Sequence, residues 1–193
     1  MILAYHAVFS TYGTWLPNDP RGSYSKQIYS EALAELGPIR YGRQSPQPGR
    51  SALRSFHTAA APRLNRPPFH ITQAARPVIA AAFGTVVGRL SLTAVACAIM
   101  TDHVHFLVLR SKHRIEYVVN QLKGEGTRRL GLHQTPWTRG CWKVFVEDNE
   151  ALAAAARYVE ANPKAAGLEP QCWDFVTPLE SLARGPGNVL LDS

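Results

Sequence analysis

The chain contains only three cysteines, Cys97, Cys141 and Cys172. An odd number without Cys-x-x-Cys spacing excludes a disulfide scaffold and a cysteine-ligated zinc site, and fits reduced thiols. Long apolar runs are also missing. No stretch approaches the roughly 18 residues that cross a bilayer as a helix, so no membrane partner is expected. The opening Met1-Ile2-Leu3-Ala4-Tyr5-His6 has no charged segment and reads as strand rather than leader, which places the protein in the cytoplasm. Acidic residues are scarce, with 14 Asp and Glu against 21 Lys and Arg and a net charge of +7. What is plentiful is apolar side chain, at 46% of the sequence. That is enough for one globular domain with a sizeable core.

The basic excess is concentrated. Arg110, Lys112, Arg114, Lys123, Arg128, Arg129, Arg139 and Lys143 fall in one segment against only Glu116 and Glu125. A solvated surface gives the same count, but the clustering favours a nucleic-acid partner.

Periodicity and turn residues organise the chain. Residues 2–11 are apolar and β-prone, and Tyr12-Gly13-Thr14-Trp15-Leu16-Pro17-Asn18-Asp19-Pro20-Arg21-Gly22 ends that strand. Residues 23–68, rich in Pro, Gly, Arg and Ser, read as an irregular surface insertion with one short helix over 30–36. A helix is predicted from about Thr72 or Arg76, then a strand over 92–99 and a second strand from His103 to Leu109. A helix over 115–130, a strand over 142–146 and a helix from a cap at Asp148 or Asn149 to Asn162 follow. Pro163 is expected to stop that last helix. Without the insertion and the last helix, the order is β-α-β-β-α-β: an α+β, ferredoxin-like or RRM-like arrangement with a central antiparallel sheet. Residues 1–176 are expected to form a single domain and residues 177–193 a flexible tail.

The segment Asp102-His103-Val104-His105 carries the chemistry. Alternate strand residues face one way, so both imidazoles project from one side of the sheet and suit a divalent cation. On the last helix, Tyr158 and Asn162 are four residues apart and share a face. In isolation the tyrosine reads as packing and the asparagine as a terminator. Beside a histidine pair, the amide oxygen of Asn162 is a candidate further ligand, with the phenol one turn away. Trp15, Trp137 and Trp142 are flat surfaces for bases, though a strand position favours core packing for Trp142. His6 has no paired spacing and reads as structural or surface, on a first strand that can lie near the site.

These residues resemble the single-tyrosine HUH transposases, in particular REP-associated tyrosine transposases and their insertion-sequence relatives. The resemblance rests on His103-Val104-His105, on Gln121-Leu122-Lys123, on Gly140-Cys141-Trp142-Lys143 and on Tyr158-Val159-Glu160-Ala161-Asn162-Pro163. It also takes in Tyr12-Gly13-Thr14-Trp15-Leu16-Pro17. It implies that His103, His105 and Asn162 hold Mg²⁺ or Mn²⁺ and that Tyr158 is the nucleophile. Thr101 stands where that family often has proline.

The implied activity is metal-dependent nicking and joining of single-stranded DNA at a hairpin or imperfect palindrome, through a covalent 5′-phosphotyrosine. The implied enzyme acts as a monomer or homodimer near the bacterial nucleoid. Lys123, Arg128, Arg129 and Lys143 are the expected phosphate contacts. Two other classes compete: a non-catalytic RRM-like nucleic-acid-binding module, and a metal-dependent phosphoester hydrolase in which Tyr158 only packs.

Overall fold

The structure, a computed structural model, describes residues 1–182. In chain order its elements are β1 (Ala4–Ser10), α1 (Glu31–Ala34), α2 (Arg50–Ala60), α3 (Ala75–Leu90), β2 (Ala94–Ile99), β3 (His103–Leu109), α4 (Ile115–Arg129), β4 (Trp142–Val146), α5 (Asn149–Ala165) and α6 (Leu179–Leu182). The chain divides into two compact units. One is Ser10–His70; the other joins Met1–Phe9 to the chain from Ile71 onward.

The second unit contains the expected β-α-β-β-α-β order as β1-α3-β2-β3-α4-β4. Its four-stranded sheet runs β2-β3-β1-β4, with antiparallel pairing of β2 to β3 and of β1 to β4. The β2–β3 hairpin turns at Met100-Thr101-Asp102, closed by the Met100 amide donating to the His103 carbonyl at 2.8 Å. One sheet face packs on aromatic rings. Phe9 meets Phe83 and Trp137, and Phe83 meets Phe106, all edge-on or tilted. Gly126 of α4 lies beside this packing, where a Cβ would be in ordinary contact with the Trp137 ring at 3.4 Å.

The other face is built for close approach. Ala4, Ala96, Ala98 and Leu107 of the sheet receive Leu152, Ala156 and Val159 of α5. Small side chains on the strands let the helix settle near the backbone, where dispersion contacts are dense.

Both ends of α5 have local causes. The Asp148 side chain accepts from the Ala151 amide at 2.7 Å, capping the start. The end corrects the expectation that Pro163 stops the helix, since α5 continues to Ala165 with Pro163 buried inside it. Proline removes one donor, but the next turn still closes: the Ala166 amide bonds Asn162 O at 3.0 Å and the Leu168 amide bonds Pro163 O at 2.8 Å. Gly167 takes the left-handed φ of 72° that this terminus requires.

Residues after α5 cover the β2 edge. The Gln171 side chain bonds both the Ile99 amide (2.7 Å) and its carbonyl (2.9 Å), and the Thr177 amide bonds Ala94 O at 2.8 Å. An otherwise open strand edge is thereby protected. Part of the expected 177–193 tail thus makes contacts, including helix α6, while residues 183–193 lie outside the described residues.

The Ser10–His70 unit is held by polar groups more than by apolar ones. Only Leu16 and Ala60 are its fully buried hydrophobic side chains. The buried Asp19 carboxylate accepts from Arg21 Nε at 2.9 Å and from Nη2 at 2.8 Å, while Arg21 lies 3.9 Å over the Trp15 ring. Burial alone would raise the Asp19 pKa; hydrogen bonds from Arg21 and His57, with the Arg21 charge, bring it down to about 2. Gly22 is at φ 92° against Gly42, and a Cβ would sit 1.8 Å from the Gly42 carbonyl oxygen. Helix α2 was not expected in the segment read as irregular.

Candidate active site

The pleat of β3 sends His103 and His105 to the α5 face, as the alternation predicts. His6 arrives there from β1, opposite Val144 of β4. His6 Nε2 lies 2.9 Å from His105 Nδ1, and His105 Nε2 lies 3.0 Å from His103 Nε2. His103 Nδ1 in turn lies 2.6 Å from Asp102 Oδ1. Asp102, His103, His105 and His6 therefore form one continuous hydrogen-bonded line.

His6 and His105 are buried and His103 is half-buried. Burial pushes His6 down to about 4. Burial, with the charges of His103 and His6 acting the same way against Asp102, pushes His105 down to about 3. Both rings are neutral at neutral pH and keep a lone pair for a hydrogen bond or a cation.

Helix α5 brings Tyr158 onto this line. Its ring stands edge-on to His105, with centroids 5.6 Å apart, and to His6, at 6.0 Å. The phenol side remains open, with the residue 56% exposed. Asn162 is on the same helix face, but its Nδ2 donates to the Tyr158 carbonyl at 2.7 Å and no hydrogen bond joins it to the histidines. Among the described residues, no three His, Cys, Asp or Glu side chains form a group able to hold a metal ion.

Two of the residues gathered here were missed by sequence reasoning. Asp102 was given no role of its own, and His6 read as structural or surface. The available signal for His6 was its place in a strand whose neighbours on the same face, Ala4 and Val8, are apolar.

The basic residues separate into classes. Lys123 is buried, and its ammonium donates to the carbonyls of Thr138, at 2.8 Å, and Gly140. Burial lowers its pKa to about 8. Two of the three donors of this expected phosphate contact are thus engaged by backbone carbonyls. Lys143 pairs with Glu116, Arg128 with Glu125, and Arg129 with Glu125 at 4.0 Å and Thr85 Oγ1 at 3.1 Å. These three remain at least partly exposed.

The tryptophans are redistributed as well. Trp137 is core, donating Nε1 to the Lys123 carbonyl at 3.0 Å, and Trp15 is held by Arg21 and the Gly22 carbonyl. Trp142, expected in the core, is 43% exposed on the histidine side of edge strand β4, opposite Val8.

A family model described as "Transposase IS200 like" matches residues 56–162, more than half of the chain. The chain belongs to the IS200-like transposase family. The part that matches this transposase family contains His103, His105, Tyr158 and Asn162; His6 lies before it. Two solved structures are similar to this IS200-like transposase. One is a REP-associated tyrosine transposase bound to a REP hairpin: 10% identity, 86% of this chain and 70% of that chain covered, TM-score 0.49. The other is a Deinococcus radiodurans R1 protein described as a transposase: 15% identity, 83% of this chain and 90% of that chain covered, TM-score 0.42. No curated protein matches the chain.

Proposed function

We propose that this transposase nicks and rejoins single-stranded DNA, with Tyr158 as nucleophile and His103 and His105 as ligands of a divalent cation, Mg²⁺ or Mn²⁺. The observation that carries this reading is the edge-on stand of Tyr158 over His105, 5.6 Å between centroids within one chain. A nucleophile and a cation-binding pair on the same side of one sheet are what phosphodiester transfer requires.

The donor set fits such a cation. The two Nε2 atoms are 3.0 Å apart. Two imidazole nitrogens this close would hold one divalent cation together. Each ring has its Nδ1 engaged elsewhere, by Asp102 or His6, so the Nε2 atoms that face each other are the ones that would hold the cation. The Oδ1 of Asn162 is a third donor of the right hardness, one turn beyond Tyr158 on α5. When bound, the cation supplies charge neutralisation and Lewis-acid polarisation of the phosphate.

The chain's own groups do the rest. The Tyr158 oxygen attacks phosphorus and gives its proton to solvent, which reaches the exposed ring. The phosphorus–O3′ bond breaks, and the leaving 3′ oxygen takes up a proton. A 5′-phosphotyrosine remains, conserving the bond for attack by another 3′-hydroxyl, which regenerates the phenol. Joining therefore needs no nucleotide cofactor.

Trp142, on the histidine side of β4, offers a face on which an unpaired base can stack; duplex DNA has no unstacked base to give it. Arg128, Arg129 and Lys143 can exchange their carboxylate partners for phosphates, and a hairpin or imperfect palindrome would present a single strand beside a duplex stem. The test is incubation with hairpin-flanked single-stranded DNA and Mn²⁺, scored for a covalent protein–DNA adduct. The wild-type chain forms the adduct and Tyr158→Phe does not. An adduct surviving in Tyr158→Phe, a free 5′-phosphate without adduct, or binding without cleavage would each overturn the reading.

A further inference from the structure

We propose that His6 is a positioning residue: its Nε2 accepts the Nδ1–H of His105 and so holds the lone pair of His105 Nε2 toward His103. The inference rests on the reading of His103 and His105 as cation ligands. A histidine ring has two nitrogens, and when neutral only one carries a proton. A ring that presents a lone pair at Nε2 must carry its proton at Nδ1, and something must accept that proton's hydrogen bond.

For His103 the acceptor is the Asp102 carboxylate, 2.6 Å from Nδ1. For His105, no carboxylate or carbonyl among the described residues is hydrogen-bonded to Nδ1. The nitrogen that stands there is His6 Nε2, at 2.9 Å. If His6 donated instead, the His105 proton would move to Nε2. It would then occupy the lone pair that His105 needs to serve as a ligand beside His103.

The backbone explains why a histidine can serve. His6 is 99 residues away from His105 in sequence, yet β1 lies beside β3 in the sheet. Ala4 precedes it on the same face and is fully buried. The buried ring is flanked by Tyr158, edge-on at 6.0 Å, and by the tilted His105 ring at 5.1 Å. Second-sphere partners of this kind fix both tautomer and ring angle of a metal ligand.

The test uses the full chain labelled with ¹⁵N at histidine, without metal or DNA, and reads the ring nitrogens of His105 by long-range ¹H–¹⁵N correlation. The expected result is a protonated Nδ1 and an unprotonated Nε2 in the wild-type protein. His6→Phe, which fills the space without an acceptor, is expected to mix the two tautomers and to weaken Mn²⁺ binding about tenfold or more. His6→Gln, whose amide oxygen can accept, is expected to restore the Nδ1–H form.

A protonated Nε2 in the wild-type protein, or an unchanged His105 spectrum in folded His6→Phe, would overturn the proposal. If His6→Phe does not fold, the wild-type tautomer and the His6→Gln spectrum still decide. Failure of the nicking reading shows separately, as an absent adduct or an absent Mn²⁺ titration in a protein whose His105 tautomer is nonetheless fixed.

Discussion

The ammonium of Lys123 lies inside the protein, 5.4 Å from the Phe9 ring centre and against two carbonyls of the stretch before β4. Its side chain ties that stretch to α4, and the Lys123 carbonyl holds Trp137 Nε1. Lys123→Met should therefore lower stability by about 1–3 kcal/mol in urea denaturation, through loss of these charge-assisted hydrogen bonds. The salt dependence of DNA binding should stay as in the wild-type chain, whereas loss of a true phosphate contact lowers the log–log slope by about 1. The histidines show a similar contrast. Their spacing announces a pair, but no spacing announces His6, whose role comes from a neighbour 99 positions away.

At the scale of elements, α5 decides whether the site exists. The helix carries Tyr158 outward and Leu152, Ala156 and Val159 inward, so the position of the phenol is set by apolar contacts on the opposite side. Leu152→Ala should cost about 2–5 kcal/mol through the cavity it leaves. Adduct formation should fall as well, even at a temperature where the variant is folded by circular dichroism, because the helix no longer seats firmly over Ala96 and Ala98. An unchanged rate of adduct formation would show that Tyr158 is held by something other than this seat. Helix boundaries were legible from caps and stripes. The run past Pro163 was not, because proline's missing donor costs little in a final turn whose later amides find other carbonyls.

At the scale of the whole molecule, the two units are stabilised by different forces and should respond differently to acid. The second unit rests on buried apolar side chains, while the Ser10–His70 unit rests on Asp19 and its partners. The folded pKa of Asp19, about 2, lies below the ordinary aspartate value of 3.8. Its stabilisation is therefore complete above about pH 4 and is lost as pH falls toward 2, on the order of 2 kcal/mol. Urea midpoints of the full chain across that window should fall more steeply for wild type than for Asp19→Asn, whose residue 19 does not titrate. Parallel pH profiles for the two proteins would refute this account.

The sequence by itself determined the β-α-β-β-α-β order, since strand alternation and helical stripes are local consequences of backbone geometry. It also determined that His103 and His105 share a face and that Tyr158 and Asn162 share another, because those spacings act within single elements. Tertiary structure decided what spacing cannot express. It set His6 behind His105, turned Lys123 inward and Trp142 outward, and gave the segment read as irregular a polar core around Asp19. Each of those outcomes depends on contacts between residues remote in sequence or on which edge of the sheet is covered. They are settled by the free energy of packing and desolvation in the assembled fold, which no local pattern records.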